Sequence, residues 1–180
     1  MTLHEGRPPV EGLSAVELAC YDFLDKLGVP YFTVAHGPCA DMEACRAVDG
    51  ALGASVCKNL FLCNRQMTDF YLVMMPGGKK FLTKELSRAL GVSRLSFADE
   101  GHMQEFLNLS PGSVSVLGLL FDREKRVRLV IDEEVLAAEW VGCHPCKNTA
   151  SLKLKTADLL QKVLPALGHA PTVVRLTGEG

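Results

Sequence analysis

The stretch VCKNLFLCNRQMTDFYLVMM, Val56 to Met75, decides the fold class. It contains two apolar runs of strand length, Val56 to Cys63 and Phe70 to Met75, separated by the polar segment Asn64 to Asp69. That pattern predicts a β-hairpin. Pro76-Gly77-Gly78 then marks a turn. Upstream, Ser14 with Glu17 matches a capping box, and Val16, Cys20, Phe23, Leu24 and Leu27 recur at helical spacing up to Gly28 and Pro30. Tyr31 to Ala35 predicts a short strand, and Asp41 to Leu52 a second helix closed by Gly53.

Downstream, Thr83 is placed to cap a helix through Leu90, ended by Gly91. Arg94 to Ala98 predicts a strand, and Asp99 opens a helix through Leu107. Val114 to Phe121 and Val127 to Ile131 predict a second hairpin about Asp122 to Lys125. Glu139 to Val141 and Ala150 to Leu154 flank a loop at His144. Thr156 caps a final helix in which Pro165 is expected to shorten or kink the end, and Thr172 to Leu176 is the last strand. Hairpins interleaved with short helices predict an α/β fold of the α+β type. It has a mixed, mostly antiparallel sheet with helices packed around it. No G-x-G-x-x-G or Walker sequence supports a doubly wound nucleotide fold.

Nearly half of the 180 residues are apolar, 48%, enough for a sizeable core. Residues 1–12 read as a loose polar lead-in and 13–180 as one domain. The longest apolar runs are well short of the ~20 residues that span a bilayer. The first residues lack a basic segment followed by an apolar one, so the chain reads as soluble, cytoplasmic and not bound to membrane. A net charge of −2 gives no general attraction to nucleic acid, so any RNA contact must be local. Basic residues gather at Lys79, Lys80, Lys84, Arg88 and Arg94, and again at Lys147, Lys153 and Lys155; a solvated surface is the plain alternative.

Seven cysteines without an export signal read as reduced thiols, with Cys20, Cys45, Cys57 and Cys63 at apolar positions. Cys143 and Cys146 form a lone C-x-x-C, half of a zinc site with no second half, so neither a metal nor any other cofactor is expected. No G-x-S-x-G elbow is present. Two segments carry chemistry-bearing residues against strands. Lys58 and Asn59 interrupt an apolar run, and Gly142 and Pro145 shape the backbone around His144, with Asn148 and Thr149 following. Lys58 at the mouth of a strand suits an anion site, or is an edge residue snorkelling to solvent. Loops placed by a rigid sheet commonly carry function, which singles out His144 among five scattered histidines.

These segments resemble the YbaK/ProX family of prolyl-tRNA editing proteins, in particular its free-standing deacylases. The matching stretches keep their order. They are Lys58-Asn59-Leu60-Phe61-Leu62, Arg94 to Ala98, Pro111 to Val114, Gly118-Leu119, Val130-Ile131-Asp132, His144-Pro145 with Asn148-Thr149-Ala150, and Asp158-Leu159-Leu160 followed by Gly168-His169. The chain departs from the family at Val116 and Phe121, where members often have Pro and Asn, and its His36-Gly37-Pro38 stretch only loosely matches the family's loop.

The resemblance implies hydrolysis of the ester joining a wrong amino acid to tRNA for proline, most often alanine, with cysteine as the rival. It implies that Lys58 holds the 3′-terminal phosphate region and that His144 acts in the aminoacyl pocket. Asn59, Leu60, Gly118, Gly142, Asn148 and Thr149 are then expected to contact substrate. Mischarged tRNA is the implied partner, with prolyl-tRNA synthetase a further one. Two readings of other classes stay open at this stage. One is a module that binds aminoacyl-tRNA or a synthetase without hydrolysis; the other is a zinc or redox protein using Cys143 and Cys146.

Overall fold

The hairpin at 56–75 forms as expected. In the computed structural model, which describes residues 1–179, β3 (Lys58–Cys63) runs antiparallel to β4 (Phe70–Met75), with Lys58 opposite Met75 and Cys63 opposite Phe70. Every residue of β4 is buried because the strand is central and covered on both faces, which explains its unbroken apolar run.

The strands divide between two sheets. The first has the order β1 (Leu3–Glu5), β2 (Tyr31–Ala35), β8 (Ala150–Lys155), β7 (Trp140–Cys143), all antiparallel. The second has the order β5 (Ser96–Phe97), β3, β4, β6 (Val127–Asp132), β9 (Thr172–Val174). In it β6 runs parallel to β4 and β9 parallel to β6. Helices α1 (Ala15–Leu27), α2 (Met42–Leu52), α3 (Thr83–Leu90), α4 (Glu100–Leu107) and α5 (Glu133–Ala137) surround the sheets. The α+β class read from the sequence holds.

One core joins the two sheets, with Tyr31, Leu152 and Leu154 of the first packed in the same cluster as Phe61, Leu72 and Ile131 of the second. The opposite face of the second sheet packs Leu62, Tyr71 and Val73 with Leu86 of α3.

Local signals account for most helix ends. Ser14 caps α1 with both halves of the capping box in place, Asp41 caps α2 and Asp99 caps α4. Five details differ from expectation. Residues 1–12 are not loose throughout, since Leu3–Glu5 pairs with β2 and Arg7 bridges Asp22 and Asp25 of α1. Thr83 is the first residue of α3, not its cap, and Leu82 in the cap position offers no side-chain bond. Thr156 is the first residue of α6 (Thr156–Asp158), and its hydroxyl donates to the Ala138 carbonyl instead. Beyond α6 the chain passes through a π-helical turn, Leu159–Val163, before α7 (Leu164–Leu167), so the helix changes pitch just ahead of Pro165. Cys45 is exposed on α2 and is not a core residue.

The largest difference is at Val114 to Phe121. Val116–Phe121 is a 3-10 helix, and the second hairpin does not form. Val116, Leu117 and Leu119 are all buried, so the run lacks the polar alternation that separates strand from helix. Ser115 caps the turn through its hydroxyl, and β6 pairs in parallel with β4 instead. Asp122, just beyond, accepts from the N–H groups of Arg126 and Val127 and pairs with buried His169 at 2.9 Å. Burial works to raise the Asp122 pKa, but the His169 contact and the two N–H donors outweigh it and hold the carboxyl below its usual range.

Two glycines set the seam between the sheets. Val56 bridges Gly142, and the Cys57 N–H donates to the Gly142 carbonyl at 2.8 Å. A Cβ on Gly142 would lie 2.6 Å from the Ser55 carbonyl oxygen, and one on Gly77 would lie 2.7 Å from that of Val56. The Ser55–Val56 backbone is thus held between two positions that admit no side chain. Gly142→Ala is expected to destabilise the protein by ~1–3 kcal/mol through overpacking against backbone. Gly50→Ala in α2, where a Cβ would meet nothing within 4 Å, should be neutral or stabilising. Urea unfolding with unchanged slope measures both, and equal midpoints for Gly142→Ala and wild type would refute the seam.

Candidate functional site

At the outer edge of β3, beside the seam, lies a cavity of ≈ 360 Å³ lined by residues that include Lys58, Asn59, Leu60, Phe97, Gly112 and His144. Strand pairing explains the opening. On the outer edge of β3, Cys57 N–H reaches Gly142 and the Phe61 carbonyl accepts from Ala98 N–H. Backbone groups alternate sides along a strand, so Asn59, two residues from each, points its N–H and C=O to this same edge. Strand β5 pairs only with Leu62 and Cys63, which leaves the edge open at Asn59. The Asn59 side-chain amide donates to the Cys57 carbonyl at 3.3 Å, and its Oδ1 is buried without a partner. An unsatisfied buried acceptor on a cavity wall is a group that a ligand donor or water would satisfy.

Lys58 Nζ donates to the Lys79 carbonyl at 2.6 Å, and no carboxylate lies within ion-pair distance of it among the described residues. Its charge is therefore uncompensated and its position fixed. The tether is itself anchored. Lys79 Nζ contacts Asp132 at 2.7 Å, Glu134 at 2.6 Å and the Leu176 carbonyl at 2.6 Å. Asp132 is fully buried and caps α5. Partial burial works to lower the Lys79 pKa, but hydrogen bonds to Asp132 and Glu134 outweigh it and raise it. Lys79 holds structure together, which leaves Lys58 as the cation facing the cavity.

His144 lies across the cavity. Its Nδ1 is 2.8 Å from the Ala150 carbonyl, an atom that can only accept, so Nδ1 carries the proton and Nε2 the lone pair. Burial lowers the His144 pKa; the Ala150 bond opposes and the neighbouring His36 adds to the lowering, so the ring is neutral at neutral pH. The Ser115 hydroxyl donates to the His144 carbonyl at 2.6 Å and fixes the loop from below. The fully buried Ser151 hydroxyl lies 2.8 Å from His36 Nε2 and 3.4 Å from His144 Nδ1. His36 Nδ1 meets the Gly37 carbonyl at 2.6 Å, so its Nε2 accepts from Ser151.

Lys58, Asn59, Leu60 and His144 are therefore brought together, as the sequence suggested. Asn148 is not itself on the wall but lies behind it, its amide nitrogen 3.8 Å from where a Cβ on the lining residue Gly112 would stand. Thr149 contributes its carbonyl, which accepts from His36 N–H at 3.0 Å. Gly118 and Gly142 stand back from the cavity. A Cβ on Gly118 would be 2.7 Å from Leu109 Cδ1, so that glycine serves packing, and Gly142 serves the seam. Ser115, Ser151 and Phe97 were not singled out by sequence reasoning; two are buried serines, which carry no pattern of their own.

The C-x-x-C cysteines turn into the core. Cys143 is fully buried, and Cys146 is held 3.5 Å from Cys20, sulfur to sulfur. Burial pushes the Cys143 thiol up, the contact with Cys20 and burial raise that of Cys146, and burial pushes Cys57 up to about 12. Ligands and nucleophiles need the thiolate, which these surroundings disfavour. Among the described residues no group of three or more His, Cys, Asp or Glu side chains is arranged to hold a metal, and no helix is long and apolar enough to cross a membrane.

Residues 36–162 match the family model of the aminoacyl-tRNA editing domain. The chain is 32% identical over 153 residues to the prolyl-tRNA editing protein ProX of Acetoanaerobium sticklandii, covering 85% of this chain and 93% of that protein. It is 31% identical over 155 residues to the prolyl-tRNA synthetase associated domain-containing protein 1 of Danio rerio, covering 85% and 83%. A solved structure of a candidate trans-editing enzyme for prolyl tRNA synthetase superposes with a TM-score of 0.67, over 92% of this chain and all of that one. At 17% identity that likeness speaks for the fold alone. With most of its length matched, and the cavity falling inside the matched segment, the chain belongs to the aminoacyl-tRNA editing domain family.

Proposed function

We propose that this protein is an aminoacyl-tRNA deacylase that edits mischarged tRNA for proline in trans, with alanine the preferred amino acid and residues 13–180 acting as one editing domain. The observation that carries the reading is an uncompensated cation, Lys58, facing the same cavity as the neutral imidazole of His144, at an open strand edge. Its likeness to ProX of A. sticklandii, a prolyl-tRNA editing protein, supports the choice of tRNA. A free-standing editor also makes prolyl-tRNA synthetase a natural partner.

An aminoacyl ester is already activated, so the site needs no protein nucleophile. It must place water against the carbonyl carbon and stabilise the charge that develops on the carbonyl oxygen. Lys58 holds a phosphate of the tRNA 3′ end as a point charge. The Asn59 N–H at the open edge donates to the carbonyl oxygen as it becomes an oxyanion. His144 Nε2 accepts the proton of the attacking water. Water adds to the carbonyl, the ester C–O bond breaks, and the ribose oxygen leaves with the proton that His144 took from the water. Asn148 orients the amino acid's nitrogen, and the apolar wall of Met103 and Val114 accommodates a methyl group. A pyrrolidine ring overlaps that wall, which gives discrimination by size.

Three measurements test this reading. Lys58→Ala should lower the deacylation rate at least about tenfold, the effect of losing a charge-assisted contact worth ~1.5–3 kcal/mol, with the fold intact by circular dichroism. A well-folded mutant of wild-type activity would remove Lys58 from the site.

The rate–pH profile should have its acid limb below ~6.5, the ordinary histidine value, because a depressed pKa keeps His144 neutral until the pH falls past it. His144→Gln should lower the rate and flatten that limb; an unchanged limb in the mutant would exclude His144 as its source.

On one tRNA charged in turn with alanine, serine, cysteine and proline, alanine should be released fastest and proline largely spared. Faster release of cysteine would replace the preferred substrate, and release of proline at the alanine rate would refute size exclusion.

A further inference from the structure

Among the described residues Phe97 is the one aromatic side chain that is largely exposed, at 59%. It lines the cavity that holds Lys58 and His144. It lies in β5 directly opposite Leu62 of β3, and paired residues share a sheet face, as do residues two apart. Phe97, Leu60 and Lys58 therefore lie on one face, with Lys58 ~13 Å along the strand from the level of Phe97. Phe81 braces the ring edge-to-face, with centroids 5.8 Å apart and planes at 64°. An exposed ring costs solvation unless something covers it, and here it is held at the rim of a cavity with a fixed, uncompensated cation.

Its surroundings are basic. Lys80 and Lys84, either side of Phe81 in sequence, and Arg88 and Arg94 are exposed, and none has a carboxylate partner within ion-pair distance among the described residues. Asp99, just beyond Phe97, is taken up in capping α4 and in holding His102 at 2.9 Å. A flat aromatic face flanked by unpaired cations is how proteins hold single-stranded nucleic acid, bases stacking and phosphates meeting the charge.

Resting on the editing reading above, the geometry points to Phe97 as the stacking platform for the terminal adenine of the tRNA 3′ end. The base lies on the Phe97 ring, the adjoining phosphates run toward Lys58 and the α3 cations, and the ribose ester reaches the open edge at Asn59. Stacking is indifferent to the amino acid, so this subsite supplies affinity common to every charged tRNA and leaves selection to the cavity.

The direct test is binding of the trinucleotide CCA, fluorescently labelled at its 5′ end, to the full chain at low salt. Phe97→Leu should weaken binding about five- to tenfold, the low end of the range for losing one stacked base because the leucine keeps an apolar surface, while Phe97→Trp binds at least as well as wild type. All three should melt together, since the ring is largely exposed. Wild type should bind CCA more tightly than the same oligonucleotide ending in an abasic ribose, and Phe97→Leu should not tell the two apart. Equal CCA affinity in wild type and Phe97→Leu, or a wild type blind to the missing base, would overturn the proposal. If wild type releases no amino acid from charged tRNA yet binds CCA through Phe97, the deacylase reading falls and the stacking site stands.

Discussion

The close approach of backbones at the seam governs the rest of the architecture. Ser55 and Val56 pass between Gly77 and Gly142, with would-be side-chain contacts of 2.7 and 2.6 Å to carbonyl oxygens. That approach lets Cys57 donate to Gly142 across the two sheets. It fixes where β3 begins, and so where Lys58 and Asn59 stand. It also brings the end of β7, and the His144 loop that follows it, to the open edge of β3. Without the two glycines the sheets could share a core, but the cavity between them would lose its geometry.

Electrostatics then sorts four lysine and histidine side chains into different tasks. Lys79 spends its charge on Asp132 and Glu134, and its carbonyl positions Lys58. Lys58 keeps an unpaired charge at the cavity. His144 is kept neutral by burial and by the Ala150 carbonyl, which also decides which nitrogen offers a lone pair. His169, more deeply buried, is bound to Asp122 and closes the turn ahead of β6. Similar residue types thus hold the fold or face the cavity according to whether a protein carboxylate has already claimed them.

The comparison between sequence and structure is instructive at particular residues. Ser14, Asp41 and Asp99 announce their helices because a cap is a local bond between neighbours in sequence. Val116–Phe121 misleads because a run buried on every side has no polar phase, and helix and strand then look alike. Leu3–Glu5 reads as part of a loose lead-in because three residues are too few to show alternation; the free edge of β2 supplies the pairing. Thr83 and Thr156 are capping residues by type, yet each stands one place inside its helix.

By itself the sequence determined the hairpin of β3 and β4, the three capped helices, the mixed class of the fold, and the candidate site at Lys58, Asn59, Leu60 and His144. Those follow from local periodicity, local hydrogen bonding and a resemblance written in short motifs. Only the tertiary structure decided that the strands form two sheets, that Gly118 and Gly142 serve packing, and that Cys143 and Cys146 point inward. It alone placed Phe97 and the Ser151–His36 pair beside the same cavity. Most of these depend on contacts between residues far apart in sequence, such as Cys20 with Cys146, and no local pattern encodes which distant backbone will come within 3 Å.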